Sequence, residues 1–245
     1  MKNLIILFFL SLFLTSCSNN YTWGWHVINP FLDEGSSNIS FLISGLYVTI
    51  LISLFSIFFS IILGFIFAIP GISSNKYLIL INRIYVEIIR SIPLLVLLLW
   101  VYYGLPIIFG LSLSPFAAGI VSLALSDSAF EAEIFRGGIE SVHKGQNEAS
   151  KSLGLNYWQS MRLIILPQAL RTILPPIGNQ FVYIVKMSSL VSIIGLADLT
   201  RKANELVVNV YRPLEIYSFL ILEYLFLVLI ISYFVRLLEK NLKKY

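Results

Sequence analysis

The sequence predicts an all-α membrane protein with about five spans and one polar, helix-prone loop, and three observations carry that prediction. Of its 245 residues 58% are hydrophobic and only 12% charged, too few polar side chains to cover a soluble globule. The apolar residues gather into runs long enough to cross a bilayer as helices, without the period-two alternation of a membrane barrel. The basic residues are shared unequally between the segments that separate those runs.

Residues 1–17 form a signal-like segment. Lys2 precedes the apolar run 4–14, and Leu14-Thr15-Ser16-Cys17 puts small residues before the single cysteine. This is similar to a bacterial lipoprotein signal, in which Cys17 is the acylated residue; an uncleaved first helix or a start codon set too early accounts for the same residues. One cysteine excludes an internal disulfide and a cysteine-based metal cluster. Residues 18–40 carry Trp23, Trp25, Asp33 and Glu34 but no Lys or Arg, as expected of a periplasmic segment with interfacial tryptophans.

Residues 41–69 are almost uninterruptedly apolar and are the first mature span, closed by Pro70-Gly71. Residues 72–90, with Lys76, Arg83 and Arg90 against Glu87, read as a partly helical inside loop. Ser91-Ile92-Pro93 opens the second span, which runs to about Tyr103 and is broken by Gly104-Leu105-Pro106. Ser114 followed by Pro115 is a cap with proline at the first helical position, so the third span runs from there to about Phe135. The fourth covers 171–196, interrupted near its inner end by Pro175-Pro176 and Gly178-Asn179-Gln180. An outer segment, 198–212, leads to the fifth span, 214–235. No repeat or soluble linker divides the chain, giving one transmembrane domain over 41–236 and a basic tail over 237–245. All but four of the 17 Lys and Arg residues then lie inside; Arg201, Lys202 and Arg212 lie outside and Lys186 within a span. That asymmetry sets the amino terminus out and the carboxyl terminus in.

The polar loop, about 140–170, contains EASKSLGLNYWQSMRLIILP from Glu148 to Pro167. Asn147 is placed to cap a helix beginning at Glu148, and Gly154 to end it in the left-handed conformation. Asn156 and Gln159 have capping-box spacing for a second helix ending at Pro167, with Trp158, Met161 and Ile165 on one face. The result is two short helices about a glycine hinge.

Glu148-Ala149-Ser150, then Gly154, then Ile164, Leu166 and Pro167 resemble the EAA signature of permease subunits in binding-protein-dependent ABC importers, with Ser150 where that family usually has alanine. The match extends to Arg90-Ser91-Ile92-Pro93-Leu94-Leu95, Tyr102-Tyr103-Gly104-Leu105-Pro106, Ala132-Glu133-Ile134-Phe135-Arg136-Gly137-Gly138-Ile139 and Pro175-Pro176-Ile177-Gly178-Asn179, which look like the polar amino-acid branch. The resemblance implies a type I importer-like fold in the bacterial inner membrane, working by alternating access. It implies a second permease subunit, identical or homologous, ABC ATPase subunits docked on the loop, a periplasmic substrate-binding protein and an amino-acid substrate. ATP would be bound by the partner subunits and no cofactor by this chain, which has no G-x-x-x-x-G-K-[ST] phosphate loop. A stand-alone ion-coupled secondary transporter or channel is the alternative, and a lipid-anchored protein without transport a further one.

An ionisable residue at the bilayer centre costs about 3 kcal/mol on insertion scales, so each one within a span is a candidate for function. Asp127 and Glu131 lie four apart on the third span, Lys186 is in the fourth and Glu223 in the fifth. They line the substrate path, or they pair with one another and snorkel to water. The family commonly has an acid after its lysine, where this chain has Met187, which turns attention to Asp127, Glu131 or Glu223 as the partner of Lys186. Asn179 and Gln180 are further path candidates, because a broken helix is tolerated only beside a wet or protein-lined cavity. Glu133, Arg136 and Glu140 have the spacing of structural ion pairs. His26 and His143 lie far apart, so neither a histidine metal site nor a nucleophile–base pair is supported. No basic patch is interleaved with stacking aromatics, which excludes nucleic acid as a partner and leaves membrane lipid.

Overall fold

The computed structural model describes residues 21–242, so Cys17 and its acylation lie outside the described residues. Within them all regular structure is helical. A 3-10 turn, Trp25–Ile28, leads to α1 (Asp33–Ile43) and, across Ser44-Gly45, to α2 (Leu46–Gly71). Then come α3 (Lys76–Ser91), α4 (Leu94–Leu99), α5 (Leu105–Phe109) and α6 (Pro115–Glu140). The loop holds α7 (Lys144–Ser152) and α8 (Tyr157–Ser160), followed by α9 (Leu166–Met187), α10 (Leu199–Val210) and α11 (Pro213–Leu242).

The bundle is built on the α2–α6 pair. Thr49, Ser53, Ser56, Ser60 and Gly64 make a buried seam of small residues along α2, and Ala118, Ser122, Ser128 and Ala132 answer it on α6. Lipid offers two helices no hydrophobic reason to associate, so close backbone approach and interhelical hydrogen bonds must hold them. Gly64 shows how close that approach is: a Cβ there would fall on the Glu131 side chain. α3 and α9 pack on this pair, and α11 packs on α9 and α10. Phenylalanines and isoleucines on the outer sides of α2 and α11, such as Phe58, Ile66, Ile221 and Phe226, stay exposed as a lipid-facing surface requires.

Three stretches, 33–71, 157–194 and 213–240, are long and apolar enough to cross a membrane, and there are four if α3 with α4–α5, bent by 93° between them, is counted as one. The count falls short of the five spans expected because α6, 26 residues long and the third expected span, carries Asp127 and Glu131 and is less apolar; it packs among α2, α3 and α9.

Four local expectations need correction. Residues 76–91, expected to be a partly helical loop, are helical throughout, an amphipathic helix that the Asn75 side chain caps by accepting from the Tyr77 N–H. Gly104-Leu105-Pro106 does not break its helix: a wide, π-type turn at Trp100–Gly104 adds a residue before Pro106, and the helix continues until Gly110 turns left-handed. The same device, a wide turn at Met161–Ile165, absorbs Pro167, so α8 runs on into α9 instead of stopping. α9 also continues through Pro175-Pro176; the carbonyls of residues 171 and 172, which lose their helical donors to the prolines, belong to exposed residues where other donors can reach them. The helix is interrupted at its other end, in the 3-10 segment Ser188–Ile194 closed by left-handed Gly195.

Candidate functional site: the hinge loop and the polar path

The loop is two short arms locked together. α7 starts four residues earlier than expected, so Asn147 lies within it, and the His143 side chain caps it, Nδ1 accepting from the Gly145 N–H at 3.1 Å. It ends as expected at Gly154, whose φ of +75° is costly for any residue with a Cβ. The Gly154 and Leu155 N–H groups close the turn on the carbonyls of Lys151 and Ser150. Asn156 and Gln159 form the expected capping box, with both reciprocal bonds at 2.9 Å.

Ser150 is fully buried and its hydroxyl lies 2.6 Å from that of Ser160, so the residue that departs from the family's alanine ties α7 to α8. Gln168 adds a second tie, its amide donating to the Ile164 carbonyl at 2.9 Å and reaching Gln146 at 3.4 Å. Ile164 and Leu166 are half-buried beneath the arms and Pro167 is exposed.

The outward side of the hinge presents Glu148 and Ala149 together with Leu153, Tyr157 and Trp158, all exposed, Trp158 at 78%. Three large apolar side chains on a polar loop are unsuited to water and suited to another protein. Leu153 and Tyr157 escaped the sequence reading, although a large apolar residue on each side of Gly154 was the available signal. Trp158 and Ile165 do not share a face, because the wide turn after Ser160 rotates Ile165 into the core.

The span residues divide into three groups. Asp127 and Glu131 lie in the α2–α6 seam, 1% and 0% exposed. Ser60 donates to Asp127 Oδ2 at 2.6 Å, whereas Asp127 Oδ1, both Glu131 carboxylate oxygens and the Ser56 hydroxyl have no partner among the described residues. Asn179, Tyr183 and Lys186 recur at helical spacing on an exposed face of α9, with half-buried Gln180 beside them. Tyr183 stacks obliquely near Phe130 of α6, whose ring also carries the Arg90 guanidinium 4.7 Å from its centroid. Lys186 forms no ion pair with Asp127, Glu131 or Glu223 among the described residues, so the expected pairing is not made in this conformation. Glu223 sits apart on α11, its carboxylate shielded and without a partner among the described residues. Arg136 does form the expected pairs, with Glu133 and Glu140 at 2.7 Å each.

At the end of the bundle away from the loop, the Asp198 carboxylate caps α10, accepting from the Arg201 N–H at 2.8 Å, while the Leu199 N–H donates to Thr49 of α2 at 3.2 Å. Burial pushes the Asp198 carboxyl up to about 6, against the pull of the backbone N–H groups it accepts from. Nearby, Glu215 at the start of α11 accepts from the Tyr21 hydroxyl and the Gly24 N–H, clipping the N-terminal segment to that helix.

Residues 60–244 match the family model described as "Binding-protein-dependent transport system inner membrane component". The chain is 42% identical over 207 residues to the probable glutamine ABC transporter permease protein GlnM of Bacillus subtilis, covering 84% of this chain and 95% of that protein. It is 36% identical over 206 residues to the glutamine transport system permease protein GlnP of Escherichia coli K12, covering 84% and 94%. A crystal structure of an amino acid ABC transporter with histidines superposes with a TM-score of 0.81 and 37% identity, over 90% of this chain and all of that one.

Proposed function

The chain belongs to the family of binding-protein-dependent transport system inner membrane components, and from that premise we propose that it is the membrane-spanning permease subunit of an ABC importer for polar amino acids. The observation that carries the coupling part of this reading is the hinge loop: two arms joined by a buried serine pair, with an apolar patch facing away from the bundle. ATPase subunits dock on that patch and on Glu148 and Ala149, and their closure on ATP moves the arms as one body. α8 passes through the wide turn directly into α9, so the push reaches the helix that carries Asn179, Tyr183 and Lys186.

Lys186, with Asn179 and Gln180, faces a second permease subunit and meets the substrate carboxylate. Asp127 and Glu131 are sealed in this state, which leaves buried carboxylates without compensation, a costly arrangement that opening of the seam relieves by exposing them to the substrate ammonium. Glu223 lines the same route from α11. A periplasmic binding protein delivers substrate at the far end of the bundle, and the loop and carboxyl terminus face the cytoplasm. The test is uptake by proteoliposomes carrying this chain with its ATPase subunits and binding protein. ATP-dependent uptake of labelled glutamine supports the reading; uptake driven by an ion gradient without ATPase supports a stand-alone transporter instead.

A further inference from the structure

α10 hangs between two residues in the left-handed conformation, Gly195 with a φ of +85° and Tyr211 with a φ of +55°, and its two ends are fastened differently. At Tyr211 the fastening is fixed. Arg212 donates to the carbonyl and hydroxyl of Thr22, Glu215 accepts from Tyr21 and Gly24, and a Cβ at Gly24 would fall on the Arg212 side chain. The middle of α10 is seated by Ala203 and Leu206, packed with Leu42 of α1 and Ile216 of α11.

At Gly195 nothing lies within 4 Å of where a Cβ would stand, so the chain is free to swivel there. The end of α10 beside it is held by a polar knot drawn from four elements. Asp198 is completely buried; Oδ1 accepts from the Arg201 N–H at 2.8 Å, and the Tyr224 hydroxyl of α11 donates to Oδ2 across a long 3.5 Å. That hydroxyl lies 3.1 Å from the Thr200 hydroxyl, and the hydroxyls of Thr49 on α2 and Ser188 in the 3-10 segment also act on it. Ser188 follows Lys186 by two residues, so the knot fixes the end of the helix that carries Lys186.

No cation offsets the Asp198 carboxylate among the described residues. Arg201 pairs with Glu205 at 2.8 Å and Lys202 sits 4.4 Å from the centroid of the Phe41 ring, while α2, α11 and the 3-10 segment bring only the hydroxyls of Thr49, Tyr224 and Ser188. A dry carboxyl in that setting is better neutral than charged, in keeping with its rise from 3.8 to about 6.

We propose that Asp198 and Tyr224 are positioning residues that latch the outer end of α9, and Lys186 with it, and that a proton taken up from the outer side tightens the latch. The proposal rests on the importer reading above. Movement of α9 draws Ser188 away from Tyr224 and admits water to the knot, so the latched arrangement binds a proton more tightly than the open one. Acid outside therefore favours the latched arrangement, by about tenfold at pH 5 relative to pH 7 for a carboxyl that moves between about 6 and 3.8.

The experiment uses proteoliposomes holding the complete transporter, buffered inside at pH 7.5, with L-glutamine delivered from excess binding protein outside at pH 7 or pH 5. Uptake by the unsubstituted transporter is expected to fall at least threefold at pH 5. Asp198→Asn, whose neutral side chain stands in for the protonated carboxyl, is expected to be at least threefold slower than the unsubstituted transporter at pH 7, to slow no further at pH 5, and to melt no lower. Tyr224→Phe, which removes the tie from α11, is expected to keep uptake at pH 5 within twofold of its value at pH 7. An equal fall in all three assigns the pH effect to the binding protein and overturns the proposal, as does an Asp198→Asn transporter as fast as the unsubstituted one at pH 7. Should Asp198→Asn melt lower, Tyr224→Phe decides alone, and an undiminished fall in it overturns the proposal. Absence of uptake by the unsubstituted transporter at both pH values identifies the failure as that of the importer reading itself.

Discussion

Ser150→Ala removes one half of a buried hydroxyl pair and leaves Ser160, itself almost fully buried, without that partner. A hydrogen bond contributes about 1 kcal/mol net, but stranding a buried partner costs about 1–3 kcal/mol. Ser150→Ala should therefore loosen the loop by about 1–2 kcal/mol, and Ser160→Ala by about the 1 kcal/mol of the lost bond. The double substitution should cost less than the sum of the two, with an interaction energy of about 1 kcal/mol, because the shared bond is lost only once and the Ser160 hydroxyl is no longer there to be stranded. Native-state hydrogen exchange is the assay, read at the α7 amides from Glu148 to Ser152. A local loss of 1–2 kcal/mol corresponds to exchange about 5–30-fold faster in the single variants. Strictly additive effects of the two substitutions, or unchanged exchange in both, would refute the idea that this pair makes the two arms one body.

Three further outcomes follow from the spans and the far end. Glu131→Gln replaces a buried, unpartnered carboxylate by a neutral group of like shape; it should raise the melting temperature in detergent by at least about 2–4 °C, the equivalent of about 1 kcal/mol, and slow uptake, whereas a lower melting temperature would show that the carboxylate stabilises the seam. Lys186→Met should assemble normally and lose most uptake at low substrate concentration; full uptake would remove Lys186 from the path. Asp198, raised from 3.8 to about 6 in the folded protein, makes that state bind more protons than the unfolded chain between those values, so stability should rise as pH falls from about 6 towards 4. Asp198→Asn keeps a capping side chain, should abolish that rise, and should be more stable at pH 7 by up to about 3 kcal/mol, as pH-dependent melting curves would reveal.

Where a feature depended on neighbours in the chain, the sequence displayed it. The long apolar runs, the Ser114-Pro115 start of α6, the Asn156–Gln159 capping box and the left-handed turn at Gly154 are all set within a few residues and were all legible. Proline misled where the backbone had a remedy: wide turns before Pro106 and Pro167 move the offending carbonyls aside, and nothing in local composition announces a wide turn. In segment 76–91 helix was expected but its extent was underestimated, because the charges suggested a loop when they line one side of a helix whose other side is apolar. The Ser150–Ser160 tie and the knot about Asp198 depend on which elements pack together. Thr49 and Leu199 are remote in sequence and meet only because α10 folds back against α2.

If movement of the hinge loop couples ATP hydrolysis to transport, as proposed above, substitutions at Gly154 expose it. Its φ of +75° makes any side chain cost about 1–2 kcal/mol, but no atom lies within 4 Å of where a Cβ would stand, so there is no steric term. Backbone strain at the lower end of that range accounts for about a fivefold loss, and Gly154→Ala should show a loss of that order. Aspartate tolerates the left-handed conformation better than alanine, yet it places a charge on the docking patch. Measured side by side in proteoliposomes, Gly154→Asp is expected to insert and assemble, to retain ATP hydrolysis and to lose at least a hundredfold in uptake. Uptake within fivefold of the unsubstituted protein, or equal failure of Gly154→Ala, would contradict it.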